Sequence, residues 1–285
     1  MCLNGGTPLA NNSACSCPPK YTGLCCDTFL PSNCFDIFIK QQVLSKGNAL
    51  LAAKSGLYRL YPNGASFLAY CDMSDGGWTV IQTRMMPDAV SVDFNRSWTE
   101  YRAGFGNLNG SHYLGNAQIY ALASSQQMSL RVSLRECGDD SPAPPFGIYQ
   151  SFTMSDEEGN YTMSVSGFNG SIGDALGKTR FSGMPANSGQ PFSTYDRPNE
   201  AAVAVHPADC SQPNSDTYFY TCPCSRTHLG GFWYGYLCGS AALNSAYFAS
   251  CTSAVQHTAI QWLTLNPNVT SSLAYVRMEL RPQFP

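Results

Sequence analysis

The chain is predicted to be an α+β protein with a mainly antiparallel sheet, short helices and a loop-rich later part, preceded by a small disulfide-rich module. Three observations predict this. Apolar residues alternate with polar ones over many short segments, the pattern of half-buried strands. Strand-like and helix-like segments follow one another without regular alternation, which argues against a parallel βαβ sheet. Cysteines crowd the N-terminal stretch, where apolar residues are scarce.

Residues 1–28, MCLNGGTPLANNSACSCPPKYTGLCCD and the residue after it, hold Cys2, Cys15, Cys17, Cys25 and Cys26 among turn formers. A core this small needs covalent staples. From residue 31 the segments lengthen. CFDIFIKQQVLSKGN has helical apolar spacing. LYRLY, FLAYCDM and WTVIQTR read as strands joined by turns at PNGA and SDGG. SWTEYRAGF and LGNAQIYALASS read as helices, the first with Ser97 as its N-cap. MSLRVSLRE alternates cleanly, and YQSFTMS and YTMSVSGF form a hairpin through DEEGN. Residues 183–258 are irregular and rich in Gly, Pro, Ser and aromatics. YVRMELRP is the last strand.

Composition narrows the function. The chain has 285 residues, net charge -3 and 12% charged residues, with no Lys/Arg run, so nucleic acid is excluded as a partner. It has 13 cysteines. Six N-x-S/T sequons stand at Asn11, Asn95, Asn109, Asn160, Asn169 and Asn268. Together these point to the secretory route and an extracellular protein. No apolar run is long enough to span a membrane. Cys2 follows Met1 at once with no signal peptide, so the expectation is a fragment or a missing first exon. An odd cysteine count leaves a free or interchain thiol, with Cys25 the candidate.

Enzyme motifs are absent. Cys222, Cys224 and His228 have C-x-C-x3-H spacing, but disulfides are favoured over zinc in an oxidising compartment. LGKT at 176–179 fails as a phosphate loop because position 172 is Ile172, not glycine. His112, His206, His228 and His257 are scattered, Asp156, Glu157 and Glu158 form a solvated hairpin tip, and Asp139 and Asp140 read as a loop. No H-E-x-x-H or G-x-S-x-G occurs.

Two resemblances add to this reading. C-x-N-G-G-T, C-x-C and Y-T-G-x-x-C in residues 1–28 resemble the second half of an EGF-like domain, which implies Cys2–Cys15 and Cys17–Cys26. Residues 31–285 resemble a fibrinogen C-terminal domain. The matching segments are SGLYRLYP, AYCDMSDGGWTVIQTR, VDFNRSWTEYRAGFGNLNGSHYLGN, FSTYDRPNE, GGFWYGYLC, ALNSAY and VRMELRP. Cys34 and Cys71 bracket the first helix and hairpin, a closure worth about 3–4 kcal/mol in the chain-entropy model. The resemblance also implies Cys224–Cys238. Cys137 with Cys251 and Cys210 with Cys222 are further candidate pairs.

In relatives of the ficolin and tachylectin type, an acetyl group binds beside the second of these cysteines, after a cis bond that would be Leu237–Cys238 here. The wall would come from Tyr234 or Tyr236, Cys238, Gly239, Asn244 and Tyr247, with Gly239 replacing a common histidine. Trp233 is assigned to the core. Family members often carry a D-x-D-x-D calcium loop where this chain has FSTYDRPNE. Asp196 and Glu200 are the oxygen donors, and Pro198 offers none. That implies a degenerate calcium site and no other cofactor. Asp209 or Asp216, in the insertion that follows, could supply replacement oxygens.

The expected function is non-enzymatic recognition. The first reading is a lectin of innate defence that binds acetylated or glycan ligands. The alternative is a ligand or matrix protein that binds a cell-surface protein, like angiopoietins and tenascins. Homo-oligomerisation is expected through regions outside this chain.

Overall fold

The computed structural model describes residues 1–9, 14–45, 52–85, 91–139, 141, 143–178, 186–200, 222–248, 251, 258–268 and 271–283. Asn11, Asp140, Thr179, His206, Asp209, Cys210, Asp216 and His257 lie outside these. The chain forms two compact units, Met1–Thr79 and Val80–Pro285.

In the first unit, β1 (Thr7–Pro8) pairs with β2 (Cys15–Ser16), and β3 (Tyr21–Thr22) with β4 (Thr28–Phe29). Such short ladders bury almost nothing, and Cys2–Cys15 and Cys17–Cys26 close them. Helix α1 (Cys34–Ser45) starts where Asn33 accepts the Asp36 amide at 3.1 Å. Lys40 of α1 sits 4.0 Å over the Phe29 ring, and Asp36 pairs with Lys20 at 2.5 Å. The small module is thereby tied to the helix that follows it. Cys34 bonds Cys71 of β6 (Phe67–Asp72), which pairs with β5 (Gly56–Leu60) and with the first two residues of β7 (Trp78–Met85). Gly77 at φ 73 turns the chain into β7, and a β-carbon there would lie 2.7 Å from that of Phe38.

The second unit is built on a sheet in the order β12–β11–β10–β15–β7. Its strands β10 (Met128–Glu136), β11 (Phe146–Met154), β12 (Met163–Gly170) and β15 (Leu273–Pro282) are antiparallel neighbours. Register explains the alternation. Leu130, Val132 and Leu134 face Leu280, Met278 and Val276, and all six are buried. The opposite face pairs Arg131 with Glu279 at 2.7 Å. Helix α2 (Trp98–Ala103) has Ser97 as N-cap in a complete capping box with Glu100. The short strands β8 (Phe105–Gly106) and β9 (His112–Tyr113) pair with each other, and β9 adds to β7. Helix α3 (Asn116–Ser125) packs against β11 and α2. The irregular later part contributes α4 (Cys224–Thr227), β13 (Ala241–Ala242) and β14 (Gln261–Trp262). Cys137–Cys251 staples the end of β10 to this part.

Candidate ligand-binding surface

An aromatic core carries the surface. Phe192 packs at ring distances of 5.0 Å from both Tyr101 and Trp233 and 6.2 Å from Trp98. Gly231 lets the chain pass: a β-carbon there would lie 2.7 Å from the Tyr101 ring. The Gly231 amide instead donates to the Tyr101 hydroxyl at 3.0 Å. Trp233 is fully buried and donates its indole N–H to the Tyr161 carbonyl at 2.7 Å, as a core tryptophan must.

Around this core runs the loop that contains FSTYDRPNE. Ser193 pairs with Phe232 in a short antiparallel bridge, and Thr194 with Arg197 in a turn. Asp196 Oδ1 accepts the Trp98 amide at 2.9 Å and the Thr194 hydroxyl at 2.7 Å. It thus satisfies an orphan N–H at the start of α2. The Arg197 guanidinium carbon sits over Trp98, 4.0 Å from the ring centroid, and the side chain donates to Asn160 Oδ1 at 2.7 Å. Trp98 in turn donates to Glu157, which pairs with Arg102 at 2.7 Å. Glu200 Oε1 accepts the backbone N–H and hydroxyl of Ser225 at the start of α4, at 3.3 and 3.2 Å.

Helix α4 is closed by Cys224–Cys238. Leu237, Cys238 and Gly239 follow one another at φ 46, 68 and 77, and Leu229 is at φ 53. Non-glycine residues hold this conformation only where the surroundings over-determine it. Asn187 braces the chain on either side of Leu237–Gly239. Its Nδ2 donates to the carbonyls of Trp233 and Ala241 at 2.7 and 3.0 Å, and its Oδ1 accepts the amides of Ser240 and Ala241 at 3.0 and 3.3 Å. A β-carbon on Gly239 would collide with that carboxamide, so no histidine fits there. On the outside, Arg226 donates to the Tyr195 carbonyl at 3.1 Å, and Tyr195, Leu229 and Tyr236 are exposed, Tyr236 at 41%. The disulfide returns Tyr236 to the vicinity of α4. Two tyrosines, a leucine and an arginine are thus exposed on α4 and on the segments bonded to it.

The family described as fibrinogen beta and gamma chains, C-terminal globular domain, matches residues 41–283. This chain belongs to the fibrinogen C-terminal domain family. It is 33% identical over 212 residues to angiopoietin-2 of Canis lupus familiaris, covering 73% of this chain but 36% of that protein. It is 32% identical over 238 residues to fibrinogen-like protein 1 of Mus musculus, covering 80% and 68%. The fibrinogen-like globe domain of human ANGPTL2 superposes with a TM-score of 0.68 at 26% identity, over 89% of this chain and 100% of that one. Lamprey fibrin D-dimer, complexed with the peptide Gly-His-Arg-Pro-amide, gives 0.70 at 27%, over 90% and 74%.

Within this fibrinogen-type fold, the residues expected to wall an acetyl pocket divide between buried and exposed positions. Tyr234 is fully buried, and its hydroxyl donates to the Gly230 carbonyl at 2.6 Å. Burial pushes that phenol well above its ordinary pKa. Asn244 is also fully buried, donating to Gly231 at 2.8 Å and accepting from Gln82 at 3.1 Å. Cys238 is buried in its disulfide. These side chains brace the loop through their internal bonds. Tyr236 is exposed and Tyr247 partly so.

Among the described residues the calcium-like loop does not assemble a metal's ligands. Asp196 and Glu200 serve the starts of two different helices. Among the described residues no three His, Cys, Asp or Glu side chains form a metal-holding group. Calcium requires six to eight oxygens.

Cys222 and Cys224 are disulfide-bonded and His228 meets Ser245 at 3.1 Å, so C-x-C-x3-H is not a zinc site. Cys25 is the free cysteine among the described residues, and it is exposed. Asn95, Asn109, Asn169 and Asn268 are exposed, whereas Asn160 is half-buried and engaged by Arg197. Sequence reasoning missed Asn187 and Arg226, which carry no motif. It read Arg197 past, because only acids were sought in that stretch.

Among the described residues no helix is long and apolar enough to cross a membrane.

Proposed function

We propose that this chain is an extracellular, non-enzymatic recognition domain that binds a protein or peptide ligand through the surface around α4. One observation carries the reading. Tyr195, Arg226, Leu229 and Tyr236 are exposed on α4 and on the segments bonded to it, while Tyr234 and Asn244 are spent on the frame. Tyrosine and arginine are the side chains that dominate protein interfaces, since each combines a large contact area with hydrogen bonding. Of the side chains expected to wall an acetyl pocket, Tyr234 and Asn244 are engaged inside, which favours the protein-binding reading. The relatives support the same choice, since the lamprey fibrin structure holds a peptide ligand.

The secretory assignment rests on five disulfides among the described residues and on the exposed sequons Asn95, Asn109, Asn169 and Asn268, read as glycan sites. Residues 1–28 are read as a partial EGF-like module. Oligomerisation outside this span would raise the avidity of a single weak site.

The test is to display the chain as a tetramer and probe an extracellular-protein array beside a glycan array. Protein hits are expected. Tyr236→Ala and Arg226→Glu should each weaken them at least about tenfold, as interface hot spots do. Hits confined to acetylated glycans, insensitive to both substitutions, would overturn the proposal and restore the lectin reading.

A further inference from the structure

We infer that Arg197 is a built-in cation that holds the FSTYDRPNE loop in place of calcium, so that the loop and the surface beside it are calcium-independent. The inference concerns how the loop is held and does not rest on the nature of the ligand.

A calcium ion in such a loop would do two things: neutralise clustered carboxylates and tie the loop to its surroundings through shared oxygens. In this chain both tasks have other agents. Pro198 removes one side-chain donor from the middle of the stretch. Asp196 has its Oδ1 occupied by the Trp98 amide and the Thr194 hydroxyl, so its charge faces the positive end of a helix. Asn199 folds back, donating from Nδ2 to the Phe192 carbonyl at 2.8 Å and from its amide to the Ser193 hydroxyl at 3.0 Å. Glu200 is drawn to Ser225. Its Oε2 is buried with no partner among the described residues, and no other His, Cys, Asp or Glu among them joins Asp196 and Glu200 in a metal-holding group.

The tying falls to Arg197. Its planar guanidinium sits over Trp98 of α2 and donates to Asn160 at the β11–β12 tip. A single side chain therefore joins the loop, a helix and a hairpin. Being covalently attached, this cation is present at any calcium concentration.

The experiment uses the full glycosylated, oxidised chain. Its melting temperature is measured by scanning calorimetry in excess calcium chloride and in EGTA, with calorimetric titration of calcium chloride alone. The two melting temperatures should coincide, and no saturable calcium heat should appear. Arg197→Ala should lower melting by about 3–6 °C in both buffers. Arg197→Lys, which keeps the charge but loses the flat fork, should fall part of the way and serves if the alanine variant fails to fold. Asp196→Asn keeps an Oδ1 acceptor for Trp98 and should melt near the parent. A calcium-induced rise in the parent that Asp196→Asn abolishes would overturn the inference, as would unchanged melting on removal of Arg197.

Discussion

Asn187 shows how much one unremarked side chain can hold. It makes four hydrogen bonds to the backbone of the Cys238 loop and is fully buried. Alanine there would leave two carbonyls and two amides unpaired in the interior, each costing about 1–3 kcal/mol if water cannot reach it. Asn187→Ala is expected to destabilise the chain by on the order of 3 kcal/mol, while Tyr236→Ala barely moves stability. Denaturant titration of the two variants checks this. Equal stability would mean the loop is held by the Cys224–Cys238 bond alone. No motif flags Asn187, because its role exists only after strands distant in sequence have met. Trp233 was legible as core from its position beside a glycine pair and a cysteine. Tyr234 and Asn244 were not separable from Tyr236 and Tyr247, since sequence does not say which way consecutive residues of an irregular loop point.

At the scale of elements, alternation and caps were the readable signals. Ser97 and Glu100 announce the start of α2 through a local reciprocal bond, which needs no tertiary context. MSLRVSLRE announces a strand with one apolar face, and β10 spans the same residues. What it does not announce is the partner. Only the register with β15 sets Arg131 opposite Glu279 and buries the pair. Glu279→Gln keeps the shape but leaves the buried guanidinium short of its counter-charge. We expect a loss on the order of 3 kcal/mol, with much of it recovered when Arg131→Leu and Glu279→Leu are combined. Thermal unfolding of the single and double variants tests this, and a double variant no better than the single would refute it.

At the scale of the molecule, pH acts through a buried imidazole. His112 is fully buried, with Nδ1 at 3.0 Å from the Gly110 carbonyl. Burial, aided by the positive charge of Arg277, holds its pKa below the ordinary 6.5. The folded state therefore binds this proton less readily than the unfolded chain. The sign follows: well above pH 6.5 both states are neutral and nothing is lost. As pH falls through that value the unfolded state takes up the proton first and stability drops, by at most about 1.4 kcal/mol per unit. The drop stops once the folded histidine also protonates. Melting temperature should fall between pH 7.5 and 5.5 (about one unit either side of the ordinary pKa). The fall should shrink in His112→Asn, which keeps a donor toward Gly110. An identical fall in the variant would assign the acid sensitivity elsewhere.

The sequence by itself determined the class of protein, because class follows from local signals. Strand alternation, capping residues, glycines at turns and the crowding of cysteines are all set within a few residues of one another. It also determined the family, through motifs such as GGWTVIQ and YRAGFGNL that are contiguous in the chain. The tertiary structure decided the site. Whether Asp196 meets a metal or a helix, whether Arg197 is solvated or set over Trp98, and whether Asn244 faces outward or into the core depend on contacts between residues 98 to 162 positions apart. Hydrogen-bond and stacking partners are chosen by packing, and packing is a property of the folded chain rather than of any segment in it.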